Sequence, residues 1–446
     1  MDNFEFKMDA ARALYDDAME KISRLRNISP FLLDLSLREA PFGDRVGQTL
    51  AEKLSILPKL REFGFKDILL GTLDYSFPDE LEVDDDFMQY LRDHQIDMRG
   101  GFVFTQIGIS DRSGQFIPDQ SMLKMHAYGV PNSLHEIYLS KRGMQGLYDM
   151  ETLRRSVVAS IQWMNENIAG DTDAGANAGA IAGGSAGPNA KPRIIINIVD
   201  GCDAFAEDPR GTCEMLALLA EQDIEGISIE DDRGTYMPFQ VGAFIAMART
   251  FIPAPKKIIV HMHAGAGFEN ASVIEALLNG ADGVWGGLPK SAAVIGHASL
   301  GELIANLVRV GNKNMEQTYQ IKQLIPLATS LQAMDQEQPV PDDYPILGNN
   351  AYRLPLSFFK QIEGRFMDLA PEAIGGTYRY RITPVGSDPA VIAGRLAEVT
   401  GRRAEEFSQE VLQQMLFLMR RDLRAGIRLA YDEPENLLKL YARASI

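Results

Sequence analysis

Short runs of β-branched and aromatic residues recur along the first two-thirds of the chain, with longer segments of helical period between them. The runs are FLLDLS (31–36), KDILLGTL (66–73), GFVFTQI (101–107), KMHAYGV (124–130), RIIINIV (193–199), GISIED (226–231), KIIVHMH (257–263) and DGVWGG (282–287). Between them lie TLAEKLSILPKLREFG, METLRRSVVASIQWMNENI, TCEMLALLAEQ and ASVIEALLNG, the last closed by Gly280, the residue type that follows a helix C-terminus. Alternation at this spacing predicts parallel strands covered by outer helices, and eight strands close an α/β (β/α)8 barrel. Chemistry in such barrels sits at the C-terminal ends of the strands.

Two of those ends carry reactive residues. His261 and His263 are two apart at the end of KIIVHMH; strand side chains alternate faces, so both imidazoles point one way and Met262 the other. The first run leads to Arg38 and Glu39, a cation beside a hard oxygen ligand. Two imidazoles and a carboxylate can hold a divalent cation, with the guanidinium placed to stabilise an oxyanion. Mixed nitrogen and oxygen donors suit Mg2+, Mn2+ or Zn2+.

A chain of 446 residues that is 46% hydrophobic buries a large core, and the formal charge of −17 argues against a nucleic-acid surface. Two cysteines, Cys202 and Cys213, make no disulfide framework, which fits a reducing compartment. No apolar run approaches a membrane span, and the first residues lack a signal-peptide core, so the expected location is cytoplasmic. Residues 1–305 are read as the catalytic barrel and 306–446, where alternation gives way to helical segments with Pro-rich joints, as an accessory subdomain. The Gly/Ala-rich stretch 170–192 follows a helix and precedes a strand, which places a flexible insertion on the N-terminal face. The amphipathic segment EEFSQEVLQQMLFLMRRDLRAGIRLAY is suited to packing or dimerisation, and a homodimer is expected.

DLSLRE, HMHAGAGFENASVIEALLNGADGVWGG and GHASL, in this order, resemble the signatures of the DRE-TIM metallolyases. The stretch PILGNNAYRLPLSFFKQIEG is similar to the post-barrel subdomain of their Claisen-condensing branch, the isopropylmalate, citramalate and homocitrate synthases. The resemblance implies that Arg38 stabilises an enolate or alkoxide, that Glu39, His261 and His263 ligate the metal, and that His297, where the family often has Asn, joins them. It places Asp231 at the acid of the sixth-strand motif and His135 near a substrate-loop histidine, so both are expected catalytic residues.

Departures bear on the substrate. Ala40, Pro41 and Phe42 replace the family's G-E-Q, and Asp232 and Arg233 stand in the sixth-strand motif where Thr and Val are usual. The post-barrel segment has no histidine to act as a base, leaving Tyr352, Glu230 and Asp232 as substitutes. His126 and Asn197, read within strands four and five, are expected to fill the lumen. The resulting expectation is condensation of an acyl-CoA, acetyl-CoA being the simplest, with a 2-oxo acid. The alternatives are a metal-dependent aldolase or lyase acting on a hydroxy acid, or a metal-binding barrel that has lost its chemistry.

Overall fold

A computed structural model describes residues 2–38, 45–73, 81–146, 148–171, 190–291, 294–357 and 369–446. Eight parallel strands close a barrel: β1 Phe31–Asp34, β2 Asp67–Thr72, β3 Gly101–Thr105, β4 Asn132–Ile137, β5 Ile194–Ile198, β6 Gly226–Asp231, β7 Lys257–Met262 and β8 Gly283–Gly286. Each pairs with its sequence neighbours, and β8 returns to β1 with Trp285 opposite Leu33. The lumen is packed by Leu33, Leu69, Phe102, Phe104, Leu134, Ile195, Ile259 and Trp285. It is therefore a solid core with a working surface only at its ends. The helices that position the site are α1 Asp2–Asn27, α2 Leu50–Phe63, α3 Val83–Asp93, α4 Gln120–Tyr128, α5 Met150–Asn167, α6 Pro209–Glu221, α7 Pro238–Phe251, α8 Glu269–Leu278 and α9 Leu300–Arg309.

Seven runs form strands where the periodicity places them, and the fourth does not. KMHAYGV belongs to helix α4, started by the Asp119 side chain accepting from Ser121 N–H and ended by Gly129 at φ 72°. Met122, Met125 and Tyr128 are its buried stripe, at a spacing of three. The true fourth strand is NSLHEI, which reads as a loop because polar residues occupy both of its faces. His126 is consequently exposed on a helix, its Nδ1 2.9 Å from the Asn167 carbonyl, and does not enter the lumen.

The chain divides into two compact units, 1–320 with 327–339, and 321–326 with 340–446. The boundary expected after 305 falls within α9. The second unit is mainly helical: α10 Pro389–Thr400, α11 Gln409–Arg424 and α12 Pro434–Ala444 pack around Ile392, Leu396, Leu412, Met415, Met419 and Leu437. Most of the Gly/Ala-rich insertion, 172–189, lies outside the described residues. Its near end, Asp171, accepts from Gly100 N–H at 2.6 Å and Asn132 Nδ2 at 3.1 Å, both at the N-terminal starts of strands.

Candidate active site

Alternation along β7 sends Ile259, His261 and His263 toward the lumen. His261 stacks flat on Trp285, ring centroids 3.7 Å apart, and its Nδ1–H donates to the Trp285 carbonyl at 2.9 Å. That bond fixes the tautomer and leaves Nε2 as the coordinating nitrogen. Burial, and then the neighbouring His263 and His297, hold the His261 pKa well below the usual imidazole value, so the ring is neutral as a ligand must be. The His261 and His263 rings meet edge-on at 4.7 Å.

A third donor comes from β6. Glu230 is in register with His261, and its Oε1 lies 3.2 Å from His263 Nε2. Donor atoms of Glu230, His261 and His263 all lie within 4.8 Å of one another, all three residues buried. Asn197 on β5 donates its amide to Glu230 Oε2 while its own Oδ1 is buried without a hydrogen-bond partner. Buried hard donors turned toward one point fit a divalent cation. Glu230 was expected only as a substitute base. The signal for its place in the cluster is GISIED, where Ser228 and Glu230 alternate with Ile227 and Ile229 at the C-terminal end of a strand.

His297 reaches the same place along a different route. It pairs with His263 in an isolated antiparallel bridge, its ring is 5.5 Å from that of His261, and its Nδ1–H donates to the Ala298 carbonyl at 3.0 Å. Its loop is tied to the end of β7, for Ala298 N–H donates to the Met262 carbonyl and Ala264 N–H to the Gly296 carbonyl, both at 2.8 Å. Arg38 approaches from beyond the end of β1, the strand on the other side of β8 from β7. Its guanidinium lies 4.6 Å above the Phe104 ring and 6.0 Å from Trp285, and Nε donates to Thr72 Oγ1 at 3.2 Å. Glu39 lies outside the described residues.

Two expected catalytic residues are not brought to the cluster, and strand parity explains both. Leu134 faces the lumen, so His135 faces outward; its ring nitrogens lie 2.9 Å from Thr105 Oγ1 and Ser133 Oγ, and burial lowers its pKa to about 4. Glu230 faces inward, so Asp231 faces outward, accepting from Tyr236 N–H at 2.7 Å and shaping the loop after β6. Burial pushes its carboxyl above the ordinary range. Tyr352 belongs to the second unit.

The residues inward of His135 and Asp231 line a cavity of about 770 Å³ beyond the ends of β3 to β6, among them Gln106, Glu136, Tyr138, Tyr148, Asp232 and Arg233. Tyr138 is half-buried and hydrogen-bonded to Glu136; desolvation is the largest cause of the rise in its pKa, with Glu136, Glu230 and Asp232 adding to it. Asp232 is raised too, first by burial and then by Glu230. The cavity thus brings a phenol and carboxylates together, with Asp232 two residues beyond Glu230 among its lining.

No family model matches the chain. It is 20% identical over 331 residues to the 2-isopropylmalate synthase of Pelotomaculum thermopropionicum, a match covering 72% of this chain and 57% of that protein. The chain thus spans little more than half of that relative's length. Among solved structures, an HMG-CoA lyase of Bacillus subtilis matches with TM-score 0.54 at 14% identity, covering 71% of this chain and 96% of that one. An HMG-CoA lyase of Acinetobacter baumannii, in complex with coenzyme A and 3-methylmalate, matches with TM-score 0.52 at 14% identity, covering 77% and 97%. At such identities the structures establish the barrel. The chain is thus similar to these proteins in fold, and weakly in sequence to the synthase.

Proposed function

We propose that the protein is a divalent-metal-dependent enzyme that forms a carbon–carbon bond by condensing an acyl-CoA, in the first instance acetyl-CoA, with a 2-oxo acid. The observation that carries this reading is the convergence of Glu230, His261 and His263 on one point, with the Arg38 guanidinium held over the same lumen by Phe104 and Thr72. His297 and Glu39 are further ligands in this proposal. A bound Mg2+, Mn2+ or Zn2+ would supply Lewis-acid polarisation of the oxo group. The rest falls to the chain. Arg38 offers a fixed positive charge where the oxygen turns anionic, and the aromatic surfaces beneath it exclude water. Asn197 orients the Glu230 carboxylate, and Tyr138 with Glu136 forms a proton-holding pair at the wall of the cavity.

A second reading is a lyase or aldolase that breaks such a bond in a hydroxy acid. The Tyr138–Glu136 pair favours it, because cleavage starts by removing a hydroxyl proton. Thiol release measured over a panel of 2-oxo acids with acetyl-CoA and each of the three cations separates the readings. Metal-dependent release of CoA thiol supports condensation; cleavage of hydroxy acids to an oxo product without thiol release supports the lyase. A protein that binds no ion and performs neither reaction is a barrel without chemistry.

A further inference from the structure

Beyond α9 the chain passes into the second unit at 321–326 and returns to the barrel once, at Leu327–Pro339. The returning stretch forms most of a helix, Leu324–Gln336. Leu327, Ala328, Leu331, Gln332 and Asp335 are buried and fall on one face of it. A helix that packs for stability alone keeps such a face apolar to its end. Here the last two members are an amide and a carboxylate, 4% and 1% exposed, and burying such groups is unfavourable unless each finds a partner.

Both partners lie on loops that carry site residues. Gln332 Oε1 accepts from Ser291 Oγ, and the adjoining Lys290 carbonyl accepts from His297 N–H at 3.0 Å. Asp335 Oδ1 accepts from Gln48 Nε2 at 2.7 Å, and the same amide donates to the Ser36 carbonyl at 2.8 Å, two residues before Arg38. Ser36 is fixed from its other side as well, for its N–H and its hydroxyl donate to the two oxygens of Asp34, each at 3.0 Å. One turn of one helix thus holds the loop after β1 and the loop after β8. The two loops also meet each other, where Leu288 N–H donates to Ser36 Oγ at 3.4 Å.

We propose that Gln332 and Asp335 are positioning residues: Gln332 sets the His297 loop through Ser291, and Asp335 sets the backbone that presents Arg38 through Gln48 and Ser36. This role rests on the metal-dependent reading given above, because the ion and the anionic oxygen are what need both loops in place. Phe104 and Thr72 already hold the guanidinium end of Arg38, so anchoring Ser36 fixes the side chain at its root as well as its tip. Groups that orient the residues of a metal site change affinity or rate by about 10- to 100-fold when they are removed.

Chelator competition for Mn2+, and calorimetric binding of oxalate to the Mn2+-loaded full chain, test the two arms. Oxalate is a planar dianion that chelates the ion and carries its charge on oxygen, as an enolate does. Gln332→Leu and Ser291→Ala should each weaken Mn2+ about tenfold, and the double variant no more than either. Asp335→Leu and Gln48→Leu should each weaken oxalate about tenfold, again without adding. Asp335→Asn keeps an oxygen for the Gln48 amide and should bind oxalate as the wild type does. Leu331→Ala removes apolar bulk from the same helix face, and should lower the urea midpoint with both affinities unmoved. Affinities equal to wild type in the four disrupting variants, additive losses, or equal losses in Leu331→Ala would overturn the positioning role and leave the metal site standing. A wild type that holds Mn2+ but not oxalate would overturn the Arg38 arm. A wild type that binds no Mn2+ would overturn the metal site, and this role with it.

Discussion

At the scale of single residues the site is a set of side chains whose roles follow from what holds them. His261 and His263 have their donor atoms within 4.8 Å of Glu230, and removing either imidazole leaves too few ligands for tight binding of a divalent ion. His261→Ala and His263→Ala should therefore fold, by circular dichroism, yet carry no stoichiometric metal by elemental analysis; full occupancy in both would remove the metal centre. Arg38 is held as a planar fork between Phe104 and Thr72. Arg38→Lys keeps the charge but loses that plane, and should lower kcat by roughly 10²-fold with little change in KM. Unchanged turnover would reduce Arg38 to a structural role. His297→Asn should retain the ion with weaker affinity in a chelator competition, since an amide oxygen is a poorer donor than imidazole to Mn2+ or Zn2+. Equal affinity with lost activity would assign His297 to the substrate.

Between elements, buried charge fixes the loops that carry these residues. Lys53 of α2 is fully buried, pairs with Asp84 of α3 at 2.7 Å and donates to the Leu37 carbonyl, while the other Asp84 oxygen accepts from Thr72 N–H at 2.7 Å. Thr72 in turn receives Arg38. Breaking the pair with Asp84→Ala strands a buried ammonium and should cost about 3–5 kcal/mol in urea unfolding, whereas Lys53→Met with Asp84→Leu should cost far less. Equal losses would mean that packing, and not charge, sets the cost. A second cluster lies behind the His297 loop: Lys290 pairs with Glu269 at the start of α8, and Asn270 donates to Glu302 of α9 at 2.5 Å. Burial raises the Glu302 carboxyl from 4.5 to about 7, with Lys290 opposing the rise and Glu269 adding to it. The native state therefore keeps a proton that the unfolded chain loses near pH 4.5. Stability from this group is complete below that pH and disappears as pH rises through 7, by up to about 3 kcal/mol. Glu302→Gln should lose less stability than the wild type between pH 5 and pH 8; parallel losses in the two proteins would show that Glu302 ionises without cost.

For the whole molecule, the division into two compact units predicts that unfolding is not two-state. Calorimetry should show two transitions, and added Mn2+ or Zn2+ should raise only the barrel's, because an ion that binds one native unit stabilises that unit alone. A single transition shifted entire by metal would show the units to be one cooperative body. The barrel could be read from the chain because a parallel strand buried on both faces must be a short β-branched run. Seven such runs, and the shared face of His261 and His263, follow from local periodicity alone. The fourth strand escapes that reading because NSLHEI carries polar groups on both faces, satisfied partly along the strand, by Ser133 on the His135 ring and Tyr138 on Glu136, and partly by Thr105 of β3 on the His135 ring. The outward turn of His135 on β4 and of Asp231 on β6 follows from the same parity once the register is set. The sequence by itself determined the barrel, the paired imidazoles and the neighbouring guanidinium, since these depend on alternation within one strand and on position at its end. Only tertiary structure chose Glu230 as the third donor, stacked His261 on Trp285 and brought His297 across to His263. Each of those depends on which residue of one strand or loop stands opposite which residue of another, and closure of the barrel sets that register.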